Sequence, residues 1–503
     1  MKKIIYSVLV LLLFAMTACT ENKDIYGEGP VMAPALSVSS VKVIFGPDGG
    51  RKEIIVLSNT EDWTYETTGS WATVTREGDV LIIRAEANAV SEILTATLTV
   101  VAQQEGNAVE EHILLAQAPY NAQNLSADGT ANCYIVSTGN TYRFDATVKG
   151  NGNELGDGTS GYIETCGLQI DTLKAAYADL LWESTFEFNR SSCANVIQDI
   201  PYYDNGNIYF STGTYQGNAV IALKDGAGNI LWSWHIWVCN EPIEASAANG
   251  YEFMDRNLGA LNNTPGDVNN RGLLYQWGRK DPFLNSASAT EVVQPILYDI
   301  EGKVLTDRFA ELWTSSDKGT IAYTLANPTH FLLAKDQETS ADWYYGGGAG
   351  RVNRNFYLWG NPEGYVYREL SETLKTIYDP CPVGYRVPGN FAWSFVTYDG
   401  HFTPVPEQWS VKGSFTGGYT VIYDGTNTTF YPAQGCRSSA GGLSDAGEYG
   451  HYWMSGPFDE ISPYVVCFGF ANWYIHPDNE CNTSTGRAVR SVSYTHLTLP
   501  TIL

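Results

Sequence analysis

The stretch "LTATLTVV", residues 94–101, alternates apolar and hydroxyl-bearing side chains. Its apolar positions are Leu94, Ala96, Leu98 and Val100, and threonines lie between them. Because successive side chains of a strand point to opposite faces, this pattern predicts a strand with one buried and one solvated face. Similar β-branched runs, separated by turn sequences, are "SVKVIF", "KEIIVLS", "WATVT", "VLIIRAE" and "HILLAQ". Six or seven such strands within residues 37–118 predict a small β-sandwich.

Length and composition indicate a mainly β, multidomain protein. A chain of 503 residues exceeds what one hydrophobic core usually organises, so we expect two to four domains. Hydrophobic residues make up 44% and charged residues 17%, which excludes wholesale disorder, and the many glycines and tyrosines are typical of turns and aromatic-rich strands. The formal charge of -25 offers no attraction to phosphate backbones, which argues against a nucleic-acid partner.

The first residues predict export from the cell. Lys2 and Lys3 precede an apolar run that is too short to span a bilayer comfortably, and residues 1–18 are therefore interpreted as a signal peptide. The ending "AMTAC" resembles the lipobox of bacterial lipoproteins, which implies lipidation of Cys19 and an outer-membrane anchor. The "TENKD" that follows resembles a surface-export signal, so we expect display at the cell surface, with residues 19–36 as a tether. The alternative is an ordinary secretory signal with a chance cysteine.

Residues 37–118 resemble the BACON domain, a Bacteroidetes-associated module. The elements that carry this resemblance are "LSVSS", "SWATV", "AEAN", "ATLTV" and "LAQAP", in that order. The resemblance implies an immunoglobulin-like sandwich, and the family's name implies carbohydrate binding. Trp63 and Trp71 could stack on sugars, but both fall at inward strand positions, which favours core packing.

A second β-rich domain is predicted over residues 124–244. Its "LKAAYADLLW" is interpreted as a helical patch, and "KDGAGN" as the turn of a hairpin. The strand "ILWSWHIWV", residues 230–238, has apolar side chains on both faces and should be covered on both sides. Within it, His235 is expected to be a hydrogen-bonded structural histidine.

Residues 245–492 resemble the Fibrobacter succinogenes major paralogous (FISUMP) domain. The motifs are "EFMDRNLGA", "GLLYQWGRKDPF", "YDPCPVGYRVPG", "YWMSG" and "GRAVRSV". Residues 381–393, "CPVGYRVPGNFAW", also resemble a signature of formylglycine-generating and C-type-lectin-like folds. These resemblances imply an α+β, C-type-lectin-like domain at the C-terminal end.

Two further segments carry structural predictions. In "GLLYQWGRKDPF", residues 272–283, the spacing of Leu273, Leu274 and Trp277 predicts a helix with a core face, ended by Gly278. Arg279 and Asp281 would tie loop carbonyls or a carboxylate there, as a structural signature of the domain.

The last residues, 493–503, resemble translated sequencing-adapter read-through and are excluded from the predicted fold.

The motifs of common enzymes are absent from the sequence. No histidine lies in HExxH spacing, "GLSDAG" only approaches a nucleophile elbow, and the glycine-rich runs miss the phosphate-loop spacing. We therefore expect no metal, no cofactor and no catalytic residues. The cysteines lie in an oxidising compartment, which makes some disulfides plausible, and Cys436 and Cys467, the candidates for a reactive pair, are expected to be structural.

The candidate ligand-binding site is the aromatic and glycine-rich loop at residues 341–360. Aromatic faces stack on sugar rings while polar groups bind hydroxyls, so loops of this kind suit glycans. The alternative is that the same rings cover a core, which we favour for Trp473 in "FANWYIHPDN". The candidate residues are Trp343, Tyr344, Tyr345, Arg351, Arg354, Tyr357 and Trp359.

Three functional hypotheses follow from the sequence. The first is a surface-anchored, non-catalytic lipoprotein that binds carbohydrate or host and cell-surface glycans. The second is a structural or adhesive, fimbrillin-like subunit that binds protein. The third is an enzyme on a formylglycine-generating type of fold, which would need a matched pair of reactive cysteines in one cleft.

Overall fold

The protein consists of two compact units built almost entirely from β-strands. The computed structural model describes residues 33–152, 167–185, 195–305, 309–334, 342–345, 357–361, 373–458 and 464–494. Met1–Asn88 and Ile93–Gln117 form the first unit, and Ala89–Glu92 and Ala118–Leu503 form the second. The predicted mainly β, multidomain class is confirmed. Across the described ranges, no helix is long and apolar enough to cross a membrane.

The first unit is a sandwich of two four-stranded sheets. Its strands are β1 (Leu36–Val38), β2 (Lys42–Phe45), β3 (Gly50–Ser58), β4 (Trp63–Thr67), β5 (Ala72–Glu77), β6 (Val80–Ala85), β7 (Leu94–Gln104) and β8 (Asn107–Gln117). One sheet has the order β1-β3-β6-β5 and the other β2-β8-β7-β4. The strands β1 and β4 were missing from the sequence prediction, because both are short and lack a long β-branched run.

The alternating pattern of β7 positions the core of this sandwich. Ala96, Leu98 and Val100 are buried with the inward side chains of both sheets, as predicted. Trp63 is buried, while Trp71 is partly buried, packs edge-on against Phe45 and donates its indole N–H to Thr95 O at 3.2 Å. The core role is therefore confirmed for Trp63 and holds in part for Trp71.

The second unit begins with two four-stranded sheets. Its first strands are β9 (Gln123–Asn124), β10 (Cys133–Val136), β11 (Thr141–Asp145), β12 (Ala175–Ser184), β13 (Tyr202–Asp204), β14 (Asn207–Ser211), β15 (Gly217–Asp225) and β16 (Ile230–Val238). The sheet orders are β10-β16-β15-β12 and β13-β14-β11-β9. Strands β15 and β16 form the predicted hairpin, and β16 is buried on both faces as expected.

The helix predicted at "LKAAYADLLW" is wrong, because this segment forms the strand β12. It pairs antiparallel with β15 over its length. Leu180, Leu181 and Trp182 are consecutive buried residues, so both faces of the strand are covered. A continuous apolar run of this kind fits a doubly buried strand as well as a helix, and pairing with β15 decides between them.

Among its described residues, the rest of the second unit contains one short α-helix, three single-turn 3-10 helices (Val268–Asn270, Ser394–Val396 and Pro406–Gln408) and sixteen strands. The helix α1 spans Ile321–Ala326. The largest sheet has the order β27-β26-β31-β28-β29-β30, with β19 attached to β31, and smaller sheets are β17-β18-β32-β22, β20-β21 and β23-β24-β25. The strands are β17 (Ala245–Ala248), β18 (Tyr251–Met254), β19 (Leu274–Gln276), β20 (Glu311–Trp313), β21 (Phe331–Leu333), β22 (Tyr385–Arg386), β23 (Val411–Lys412), β24 (Gly418–Ile422), β25 (Thr428–Pro432), β26 (Cys436–Arg437), β27 (Leu443–Ser444), β28 (Tyr449–Pro457), β29 (Tyr464–Ala471), β30 (Tyr474–Asn482), β31 (Gly486–Ala488) and β32 (Val492–Ser493).

The predicted domains 124–244 and 245–492 lie within this one unit and share a hydrophobic cluster. Buried polar contacts also connect the two segments. Asn132 donates through Nδ2 to Ile377 O at 2.7 Å and to Asp379 O at 2.8 Å. Ser233 donates through Oγ to Asp281 Oδ1 at 2.6 Å.

The helix predicted at "GLLYQWGRKDPF" is also wrong, although the buried face was predicted correctly. Leu274 and Phe283 exchange backbone hydrogen bonds of 2.8 and 2.7 Å, so the segment turns back on itself. Gly278 makes the turn at φ 81°, and a Cβ there would lie 2.5 Å from Leu358 Cδ1. Arg279 Nη1 donates to His330 O at 2.8 Å, which confirms the structural role of the motif.

The chain beyond Val492 corrects another expectation. Ser493 pairs with Tyr385 in the sheet, and Tyr494 donates its N–H to Gly384 O at 2.9 Å. These two residues, which were excluded with 493–503, therefore belong to the fold. The remainder, 495–503, lies outside the described residues.

Candidate functional site

The predicted ligand loop at 341–360 has its two tryptophans in the core. Trp343 is 1% and Trp359 0% exposed. The indole N–H of Trp343 donates to Trp277 O at 2.7 Å, and that of Trp359 donates to Tyr378 O at 3.1 Å. Neither ring offers a face to a sugar, so the stacking role predicted for these two residues is corrected to a core role.

The other candidates of this loop are divided between described and undescribed residues. Tyr344, Tyr345 and Tyr357 are half-buried. Arg351 and Arg354 lie outside the described residues. The loop was predicted to bind a ligand because it is rich in aromatic residues. Both of its tryptophans, however, pack in the core.

The opposite outcome applies to Trp473, for which a core position was predicted. Its side chain is 56% exposed. Strands β29 and β30 form a hairpin in which Ala471 pairs with Tyr474, so Asn472 and Trp473 are the two turn residues. A residue at the tip of a hairpin turn has few neighbours to cover its side chain. Core packing therefore does not explain the presence of a large apolar side chain at this position.

A loop beside this hairpin exposes further large apolar side chains. Thr397 and Trp409 close the loop through an isolated bridge. Tyr398 is 90% and Phe402 47% exposed. The loop is fixed against β30, because Thr403 N–H donates to Ile475 O at 3.0 Å and Ile475 N–H donates to Thr403 O at 3.2 Å.

The rings of the loop and the hairpin meet at Tyr474. Its ring centroid lies 4.5 Å from that of Trp473 and 6.0 Å from that of Phe402. Phe402 also contacts the ring of His476 at 5.1 Å, edge to face. We call exposed Phe402 and Trp473, the buried Tyr474 that contacts both, and the polar residues His401, His476 and Asp478 the aromatic surface.

Two imidazoles flank a carboxylate at the edge of these rings. His401 Nδ1 lies 3.3 Å from Asp478 Oδ2, and His476 Nε2 lies 3.4 Å from Asp478 Oδ1. Burial lowers the pKa of His476, and the charge of Asp478 acts in the opposite direction. Each carboxylate oxygen has two lone pairs, so Asp478, with its side chain 19% exposed, keeps acceptor capacity for an outside donor.

No cluster of three histidines, cysteines or acids suited to a metal ion occurs in the described part of the chain. His401, His476 and Asp478 do not form such a group. The three side chains can donate and accept hydrogen bonds beside the rings of the aromatic surface.

A buried chain of polar groups has the atoms of a cysteine, histidine and asparagine triad. Cys133 Sγ lies 3.3 Å from His235 Nδ1, and His235 Nε2 lies 2.9 Å from Asn218 Oδ1. The amide nitrogen of Asn218 donates to Gly259 O, so Oδ1 is its acceptor, Nε2 of the imidazole donates, and Nδ1 accepts from the thiol.

Burial decides what this chain of groups can do. It raises the pKa of the Cys133 thiol well above its usual value and lowers that of His235 to about 3, so both groups are neutral at pH 7. A reactive cysteine needs a thiolate and access, and Cys133 has neither. The structural role predicted for His235 is confirmed.

This histidine should make the protein less stable in acid. Below the pKa of about 6.5 of an exposed imidazole, the unfolded chain binds a proton that native His235 does not bind until about pH 3. The free energy of unfolding should thus fall as pH decreases through this window, by up to about 1.4 kcal/mol per pH unit. Urea unfolding at pH 7.5 and 4.5 should show a smaller decrease for His235→Gln than for wild type. The control is His112→Gln, which replaces an exposed histidine. If the free energy of unfolding of His235→Gln kept the wild-type pH dependence, the assignment of that dependence to buried His235 would be contradicted.

Two cysteines singled out from the sequence have structural roles. Cys467 forms a disulfide with Cys481. Cys436 is buried, with its sulfur 3.3 Å from Ser444 Oγ. The pair of reactive thiols required by the enzyme hypothesis is therefore not formed by Cys436 and Cys467.

No protein-family model and no curated protein matches the chain. Solved structures that resemble parts of it include a protein from Bacteroides thetaiotaomicron determined by NMR, with 14% identity over 20% of this chain and 98% of that one, and a TM-score of 0.14. Titin domain M7 shows 13% identity over 18% of this chain and 98% of its own, with a TM-score of 0.15. An endo-fucoidan hydrolase of glycoside hydrolase family 107 shows 11% identity over 44% and 30%, with a TM-score of 0.16. TM-scores this low do not support a functional or evolutionary relationship. The BACON and FISUMP resemblances therefore stay predictions.

Proposed function

We propose that this protein is a non-catalytic, surface-anchored lipoprotein that binds carbohydrate through the aromatic surface. The observation that carries the proposal is the exposed ring of Trp473 at the tip of a two-residue hairpin, beside exposed Phe402 and the Asp478 carboxylate. The anchor rests on the sequence around Cys19, which lies outside the described residues.

The arrangement suits a sugar better than a flat apolar partner. Sugar rings present an apolar face of C–H groups and a rim of hydroxyls, so a binding site needs a ring to stack on and acceptors nearby. Phe402 lies between Tyr474 and His476, and His476 in turn contacts Asp478. A ring for stacking and a carboxylate for hydroxyl groups are thus connected through neighbouring side chains.

Rigidity also favours binding. The loop that carries Phe402 is hydrogen-bonded to β30 at Ile475, and its Trp409 indole N–H donates to Thr403 O at 3.0 Å. A site that is ordered before the ligand arrives loses less entropy on binding. The aromatic surface is therefore built as a preformed platform.

Trp473→Ala should weaken glycan binding at least about tenfold, because covering a large apolar side chain contributes roughly 1.5–3 kcal/mol. The purified full chain and this variant would be compared on a glycan array of plant, algal and mucin structures. Trp313→Ala is the matched control, since Trp313 is a tryptophan of similar exposure, 48%, that lies on β20 and outside the aromatic surface. Absence of wild-type binding to every glycan on the array would contradict the proposal. Equal binding by the Trp473 variant would move the site elsewhere.

A further inference from the structure

The charges around the aromatic surface allow the class of glycan to be narrowed. Resting on the proposed function, we propose that the ligand is an uncharged, hydroxyl-rich glycan, and that Asp478 is the residue that selects it against acidic glycans. Asp478 would accept hydrogen bonds from sugar hydroxyls and repel sugar carboxylates and sulfates.

The two segments that build the surface contain acids and no strong bases. Residues 398–408 include Asp399 and Glu407, and residues 473–482 include Asp478 and Glu480. Neither segment contains a lysine or an arginine. Whole-chain charge adds to this, since the protein carries a formal charge of -25 at pH 7. An anionic sugar would therefore approach two segments that carry four carboxylates and no lysine or arginine.

Two imidazoles and one guanidinium lie near these acids. His401 and His476 both face Asp478, and the pKa of His476 is lowered by burial, which favours its neutral form. The charge of Arg487 reaches Tyr474, but this guanidinium also faces Asp445 and donates through Nε to Thr485 Oγ1 at 3.0 Å. Recognition at this surface thus depends on accepting hydrogen bonds, which sugar hydroxyls donate.

The two imidazoles also orient the carboxylate. One ring nitrogen lies beside each oxygen of Asp478, at 3.3 and 3.4 Å, so the plane of the carboxylate is fixed relative to Phe402 and His476. A fixed acceptor next to a stacking ring can discriminate among hydroxyl positions, whereas a freely rotating one cannot.

The test compares glycans that differ only in charge. Oligogalacturonate and its methyl ester share one backbone, and other uronate glycans can be printed beside their carboxyl-reduced forms. The purified full chain should bind the neutral member of at least one pair at pH 7.5, and the acidic member at least about fivefold more weakly. Asp478→Asn should weaken the neutral interaction and reduce the preference for it, while Asp48→Asn, an exposed acid of the first unit, should change neither.

The outcomes separate this inference from the proposed function. Equal or tighter binding of the acidic members would overturn the inference and leave glycan binding intact. An unchanged preference in Asp478→Asn would overturn the assignment to this residue. Absence of binding to either member of every pair would overturn the inference, and absence of binding to every glycan on the array would overturn both proposals.

Discussion

Asp379→Asn should lower the free energy of unfolding of the second unit by about 3–5 kcal/mol, the range for breaking a buried ion pair from one side. Lys375 Nζ lies 2.9 Å from Asp379 Oδ1, and both side chains are almost completely buried. The same carboxylate accepts from Cys381 N–H at 2.7 Å and from Val387 N–H at 2.9 Å. An amide has one acceptor oxygen, so its NH2 group would face a donor and Lys375 would lose its counter-charge.

Urea denaturation of the full chain measures this change. The matched control is Asp171→Asn, because Asp171 forms an exposed pair with Lys174 and exposed pairs contribute little. Equal effects of the two substitutions would show that the buried pair does not hold the loop at residues 375–387 in place.

Removing the Cys467–Cys481 disulfide should reduce both stability and glycan binding. The cysteines are 14 residues apart and join β29 to β30, which carries Tyr474, His476 and Asp478. In the chain-entropy model, closing a loop of this length contributes about 3 kcal/mol. Strand β30 ends the strand order of its sheet, so its position depends on β29, the disulfide and the contact with Thr403.

The double variant Cys467→Ser and Cys481→Ser should therefore unfold at lower urea concentration and bind glycan more weakly than wild type. Cys436→Ser is the control, because it removes a buried thiol and no cross-link. A double variant with wild-type affinity would show that β30 is held in place without the disulfide.

The sandwich of the first unit was predictable because its strands have one buried face and one solvent-exposed face. In β7 the threonines alternate with buried Ala96, Leu98 and Val100, and that alternation identifies both the strand and its core side. In the second unit, β12 and β16 contain long buried runs that are covered on both faces. Their apolar runs then lose the period of two, and "LKAAYADLLW" could be taken for a helix although it forms β12.

The candidate site was misplaced because aromatic content does not tell a surface from a core. The indoles of Trp343 and Trp359 donate to the backbone oxygens of Trp277 and Tyr378, and the ring of Trp359 packs against that of Trp277. These partners are distant in sequence, so no local pattern shows the burial. For Trp473 a local signal existed. The polar residues His476 and Asp478 alternate with Ile475 and Pro477 directly after it, which is typical of a strand with one exposed face following a turn.

Equilibrium titration of the full chain and of Trp473→Ala with the neutral oligosaccharide that binds most tightly on the array tests the role of the aromatic surface most directly. We expect saturable binding by the wild type and a dissociation constant at least about tenfold higher for the variant, with both proteins unfolding at the same urea concentration. Equal dissociation constants for the two proteins would contradict the assignment of carbohydrate binding to this surface.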